Sequence, residues 1–261
     1  MVLNYIVMDL EFNQPFDFDD GLGDAVEPSC PFEIMQVGLV KLDADFGISK
    51  TMDLIIRPSI YKRVHPFVGK ITGLTHNDIY TDTQTFPQSF EEIRTFIGSS
   101  DNVFAVWGGS DIKLLFKNMD YHGISSDGIP VDFIDVQKLA SRHLNISAGM
   151  TIGLKNAVAA FDIDQDRPFH NALNDALYTA RIFDIVRRGE ENLTQHVNTF
   201  GAITEAGVLK RRCKVLSYDV MALYREMEKM FGRKLTASQK KIVRKVYEMG
   251  KNGKFDYSKK Q

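Results

Sequence analysis

The chain has 261 residues, 44% of them hydrophobic and 25% charged, with a net charge of −2, which suits one large domain or one domain with an appendage. No apolar run is long enough to span a membrane, and the two cysteines, Cys30 and Cys213, lie too far apart in sequence to suggest zinc or a disulfide framework. The first residues lack the basic-then-apolar layout of a secretory signal, so a reducing, cytoplasmic setting is expected.

The first predicted element is a strand over 3–12, apolar except at Asp9 and Glu11. Side chains two apart on a strand share a face, and at a rise of ~3.3 Å per residue these carboxylates stand roughly 6–7 Å from one another. Two ionised acids so placed repel, and either one takes a proton or a cation neutralises both. Oxygen ligands at this spacing suit Mg²⁺ or Mn²⁺. An edge strand with a wet polar face also accounts for an isolated D-x-E. Residues 13–32, "NQPFDFDDGLGDAVEPSCPF", read as a long loop, either solvated or lying as a lid beside the acids.

Strands are expected next at 34–42 and 51–57. "VGKITG" (68–73) lacks the earlier glycine of a phosphate-cradling loop. A helix is expected over 88–98, then an apolar strand over 103–107 that runs through Gly108 and Gly109 into a helix over 111–121. Ser110 suits the N-cap there and Asp111 the first turn, where the helix dipole favours an acid in any case. Trp107, ending a buried strand, is a core residue or a stacking surface. A strand over 131–135 and helices over 136–144, 151–160 and 172–187 follow. In "PFHNALNDALYTARIF" (168–183), His170 and Asn171 open the last of these helices. Asp175 falls on its inner side near Ala172, Ala176 and Thr179, a place for an acid that a cation explains best.

The body to about 190 is acidic, whereas 207–261 hold 16 of the 32 Lys and Arg and only 5 of the 34 Asp and Glu. The expected organisation is a domain over 1–190, then a linker and basic helical extension over 191–261 with helices at about 217–231 and 236–249. Lys210, Arg211, Arg212, Lys240, Lys241 and Arg244 either contact a nucleic-acid backbone or form a solvated or docking face.

In order, "DLE" (9–11), "WGGSD" (107–111) and "HNALND" (170–175) resemble the DEDDh family of 3′→5′ exonucleases, which includes RNase T, oligoribonuclease and the proofreading subunit of DNA polymerase III. "FEIMQVGLVKLD" (32–43), "ITGLTHNDI" (71–79), "DFIDVQKLA" (132–140) and "IGLKNAVAAFDI" (152–163) extend the similarity over roughly 4–187, and "ITGLT" with "WGGSD" is similar to its KapD-like branch. The resemblance implies an RNase H-like fold, a mixed five-stranded sheet flanked by helices. It implies two divalent ions held by Asp9, Glu11, Asp111 and Asp175, with His170 taking the proton from the attacking water. A helix N-terminus and nearby cations disfavour an imidazolium at that place, which suits a proton acceptor. It also implies Phe12, Asn13 and Leu74 as contacts to the terminal nucleotide of single-stranded RNA or DNA. A catalytically silent binding or scaffold module on the same fold is the competing expectation. A carboxylate glycosidase is a third, which leaves H-x-A-x-x-D unexplained.

Overall fold

The computed structural model describes residues 4–16, 23–147, 149–190, 193–200, 227–229, 232–236, 239–240 and 243. The chain divides into two compact units, Met1–Ile203 and Thr204–Gln261.

The first unit is built on a six-stranded sheet: β1 (Tyr5–Asn13), β2 (Glu33–Leu42), β3 (Ile48–Ile55), β4 (Val103–Val106), β5 (Asp132–Asp135) and β6 (Val197–Thr199). Its spatial order is β3-β2-β1-β4-β5-β6. The strands β3, β2 and β1 pair antiparallel, β1 pairs parallel with β4 and β4 with β5, and β6 closes the edge antiparallel to β5. The sheet therefore changes direction at β1, and the parallel β4 ends beside Met8, so that Asp9 and Glu11 lie beyond its last residue. A crevice beyond the strand ends at such a switch point is where α/β sheets place their ligands.

Alternation along β1 divides the core. Tyr5 and Val7 point into one apolar cluster with Ala176, Ala180 and Phe183, whereas Ile6, Met8 and Leu10 point into another with Phe90, Ile112 and Leu115. Each such side chain, fully buried, contributes about 1.5–3 kcal/mol. The helices follow the same division. On the first face lie α5 (Val136–His143), α6 (Leu154–Ala160) and α7 (Ala172–Arg187); on the second lie α3 (Phe86–Ile97) and α4 (Ser110–Tyr121). Two short helices, α1 (Pro66–Thr72) and α2 (His76–Tyr80), bury Val68 and Ile79 against Met35 in a third, smaller cluster.

Five expectations are corrected. The sheet has six strands rather than five, because β6 is three residues long and too short to show an alternating pattern. Its pairing with β5 carries the sheet past residue 190, and the first unit ends at Ile203. Gly109 is the N-cap of α4, and Ser110 is its first residue. The third strand starts at Ile48 and stops at Ile55, and α6 starts at Leu154 after an N-cap at Gly153.

In the second unit, residues 227–229 and 239–240 are helical, and Glu228 accepts from the backbone N–H of Leu235 at 3.0 Å and lies 3.5 Å from Lys240. The helices expected at 217–231 and 236–249 fall largely outside the described residues. So do Lys210, Arg211, Arg212, Lys241 and Arg244, and residues 17–22 of the loop expected over 13–32.

Candidate active site

Asp9 and Glu11 continue the face of β1 that Tyr5 and Val7 begin, so burial of two apolar residues fixes where both carboxylates point. Opposite them on β2 stand Gly38 and Gln36, paired with Asp9 and Glu11 respectively. The pairing then slips, Phe12 lying across from Ile34, so that one extra residue of β2 bends the ladder just past Glu11. Bulges of this kind re-aim side chains beside active sites.

The third acid arrives from the other side of the sheet. Gly108, at φ 88°, makes a left-handed turn after β4 that a side chain would resist. The chain then enters α4, whose Ile112, Leu115 and Met119 are buried in the second core and whose first turn holds Asp111 at 8% exposure.

The fourth comes with α7. Asn171 is its N-cap and accepts from the N–H of Asn174 at 3.1 Å. Ala172, Ala176 and Ala180 are buried, and their small side chains let the helix lie close on the sheet. The contact is tightest at Gly38: a Cβ there would fall 2.1 Å from the carbonyl carbon of Ala172 and 2.3 Å from the nitrogen of Leu173. This seats the start of α7 on the strand position that faces Asp9. Asp175 is thereby buried at 8% exposure, one oxygen accepting from the His170 N–H at 3.1 Å and the other buried without a partner. His170 is exposed and has φ 62°.

The ligand atoms of Glu11, His170 and Asp175 lie within 4.8 Å of one another. Asp9 and Asp111 stand close enough to feel that cluster's charge. The Asp9 carboxyl is held well above its usual range, chiefly by burial and then by the charges of Asp111, Asp175 and Glu11. Burial and Glu11 push Asp111 up to about 8, and burial and Asp175 push Glu11 up to about 7. Asp175 rises to about 6 through burial, opposed by the N–H and charge of His170.

The sequence model of the RNase T exonuclease family matches residues 6–183, which contain all four acids and His170. The chain belongs to this family. Among solved structures similar to this exonuclease is the nuclease domain of 3′hExo, a DEDDh family member, bound to rAMP. It is 19% identical with a TM-score of 0.60, over 72% of this chain and 94% of that one. A 3′-exonuclease recognising the 3′ end of a histone mRNA stem-loop is 20% identical with a TM-score of 0.58, over 71% of this chain and 63% of that one. The E. coli ExoI–ssDNA complex is 12% identical with a TM-score of 0.56, over 75% of this chain and 42% of that one. No curated protein sequence matches. Family membership and the cluster of Glu11, His170 and Asp175 together support a metal-dependent exonuclease mechanism.

The donor set fits such a metal. Four oxygen-bearing side chains of one sign converge, one carboxylate oxygen of Asp175 is buried and unpartnered, and the charges of Glu11, Asp111 and Asp175 raise neighbouring acids. Hard divalent cations are what such oxygens bind.

The expected nucleotide contacts are placed differently from one another. Phe12 lies on the opposite face from the acids, packed beside the second core. Asn13 is fully buried: its amide donates to the Arg63 carbonyl at 3.0 Å and its oxygen accepts from the His65 N–H at 2.9 Å, so its side chain serves the 57–65 loop. Leu74 is half-buried in the third cluster, just after Gly73 ends α1. Trp107 is partly buried against the first core. Sequence reasoning assigned no role to Gln36 or Gly38. A lone Gln in an otherwise apolar buried run, with Gly two residues on, was the signal available.

Proposed function

We propose that this exonuclease removes nucleotides one at a time from the 3′ end of single-stranded nucleic acid, RNA in preference to DNA. Asp9, Glu11, Asp111 and Asp175 would hold two Mg²⁺ or Mn²⁺ ions, which supply Lewis-acid activation of water and neutralise charge on the scissile phosphate. The observation that carries the reading is the convergence of four acids whose burial and crowding a divalent cation would relieve without a bound proton.

The chain's own groups divide the remaining work. A ring nitrogen of His170, exposed and beside Glu11 and Asp175, takes the proton of the attacking water. The His170 N–H, donating to Asp175, fixes that carboxylate and leaves its second oxygen free for a ligand. Leu74 and the exposed Phe67 offer apolar surface for the last base, and the basic composition of residues 207–261 suits attraction to a polyanionic strand. The similarity of "ITGLT" and "WGGSD" to the KapD-like branch supports RNA as the preferred substrate.

The test is incubation of 5′-labelled single-stranded RNA and DNA of equal sequence with Mg²⁺, with Mn²⁺ or with chelator. The expected result is a ladder shortening from the 3′ end, faster on RNA and abolished by chelator. Binding that persists in chelator without any cleavage in metal would make the chain a silent binding module.

A further inference from the structure

We infer that Gln36 is a positioning residue that sets where α7 begins, and with it where His170 and Asp175 stand. The inference rests on the exonuclease reading and adds a residue that reading does not contain. Gln36 is 1% exposed and paired across the sheet with Glu11. Its Oε1 accepts from the backbone N–H of Ala172 at 3.2 Å, and its Nε2 donates to Asp53 Oδ1 on β3 at 2.7 Å.

Ala172 is the first residue of α7, and an N–H in the first turn of a helix has no partner within the helix. The N-cap Asn171 serves the N–H of Asn174 instead. Ala172 is fully buried, so water is not an alternative, and the carboxamide of Gln36 supplies the acceptor. Asp53, exposed on β3, fixes which way the amide is turned: it takes the NH₂ group and leaves the oxygen facing the helix.

Two residues along the same face, Gly38 provides the steric floor. A strand thus holds α7 at two points, one by contact and one by a hydrogen bond, opposite Asp9 and Glu11 in register. Ala172 follows His170 by two residues and precedes Asp175 by three, too short a stretch to absorb a shift. Gln is the residue type that serves both bonds. A Glu would set a like charge against Asp53, and an apolar residue would leave the Ala172 N–H without a partner.

The experiment compares wild type with Gln36→Met, which keeps side-chain length and removes both bonds. It reads kcat and KM on a 5′-labelled single-stranded RNA oligonucleotide, together with amide hydrogen exchange over residues 168–176 in metal-free protein. Expected are exchange at least about ten-fold faster in 168–176 alone, a kcat lower by roughly 10- to 100-fold, and a KM within about two-fold of wild type. Gln36→Glu combined with Asp53→Asn reverses the polarity of the outer bond and keeps an acceptor for Ala172. It should restore slow exchange and most of the kcat that Gln36→Glu alone loses. Folded Gln36→Met with wild-type kcat, or with unchanged exchange at 168–176, would overturn the inference. Should Gln36→Met fail to fold, Asp53→Ala at its exposed position carries the test: faster exchange with a lower kcat supports the inference, and wild-type values of both overturn it. A wild-type protein with no nuclease activity defeats the exonuclease reading, and the exchange measurement still decides whether Gln36 holds the helix.

Discussion

Two sites near one end of the sheet bury carboxylates, and they resolve the cost in opposite ways. Glu33, at the start of β2 and 1% exposed, accepts from the N–H and hydroxyl of Ser59 and from the N–H groups of Ile60 and Tyr61. Its negative charge is met by backbone donors, and the result is a pinned 57–65 loop. The acids at the other site face one another: of their oxygens, Asp175 Oδ2 takes the His170 N–H while Oδ1 is buried with no partner. A buried carboxylate surrounded by N–H groups has its charge met by the scaffold, whereas buried acids crowded together with few donors favour a proton or a bound cation.

Exchanging charge for amide at each site should break the two in different currencies. Asp9→Asn is expected to lower kcat by roughly 10³-fold, about 4 kcal/mol of transition-state stabilisation, while raising the Tm of the metal-free protein. Steady-state kinetics and thermal denaturation in chelator check both halves. His170→Ala should lose most turnover as well yet keep Mn²⁺ binding, as followed by the paramagnetic resonance of the free ion.

Glu33→Gln should do the reverse. It turns an NH₂ group or a weaker acceptor toward four donors and is expected to cost about 2–4 kcal/mol of stability in denaturant titration, with kcat of the folded fraction within about three-fold of wild type.

The pH dependence sharpens the contrast further. Glu11, Asp111 and Asp175 have raised values of about 7, 8 and 6, and Asp9 is raised as well. Between the ordinary carboxylate range and those values the folded protein binds protons that the unfolded chain has released, so stability falls as pH rises. The metal-free Tm is expected to drop by on the order of 5 °C from pH 5 to pH 8, and added Mg²⁺ should recover more of it at pH 8 than at pH 5. A metal-free Tm that rises over this range would mean that the acids are not crowded.

The smallest expected effect lies in the basic segment. Replacing Lys210, Arg211 and Arg212 together by Ala should raise KM for RNA a few-fold at physiological salt, leave kcat unchanged and flatten the salt dependence of KM by up to about two log–log slope units.

Much of this was legible in the sequence because local pattern and site coincide. The parity that buries Tyr5 and Val7 also aims Asp9 and Glu11, and the alanine stripe of α7 marks the side on which Asp175 falls. What escaped depended on distant chain. The donors to Glu33 come from residues 59–61, and the partner of Gln36 is Ala172, neither of which a local window contains. The helices α1 and α2 are seven and five residues long, and their starts are fixed by the His65 and Thr75 caps rather than by an apolar stripe. Neither helix was among the elements expected from the sequence, and Gly69 and Gly73 within 64–80 weaken any helical pattern there.

The backbone of His170 has a consequence for any effort to harden this enzyme. At φ 62° it occupies a conformation that glycine and asparagine adopt more readily than most residues. A library randomised at that codon and selected only for survival after heating should therefore enrich Gly and Asn, and the winners would be robust proteins that no longer cut.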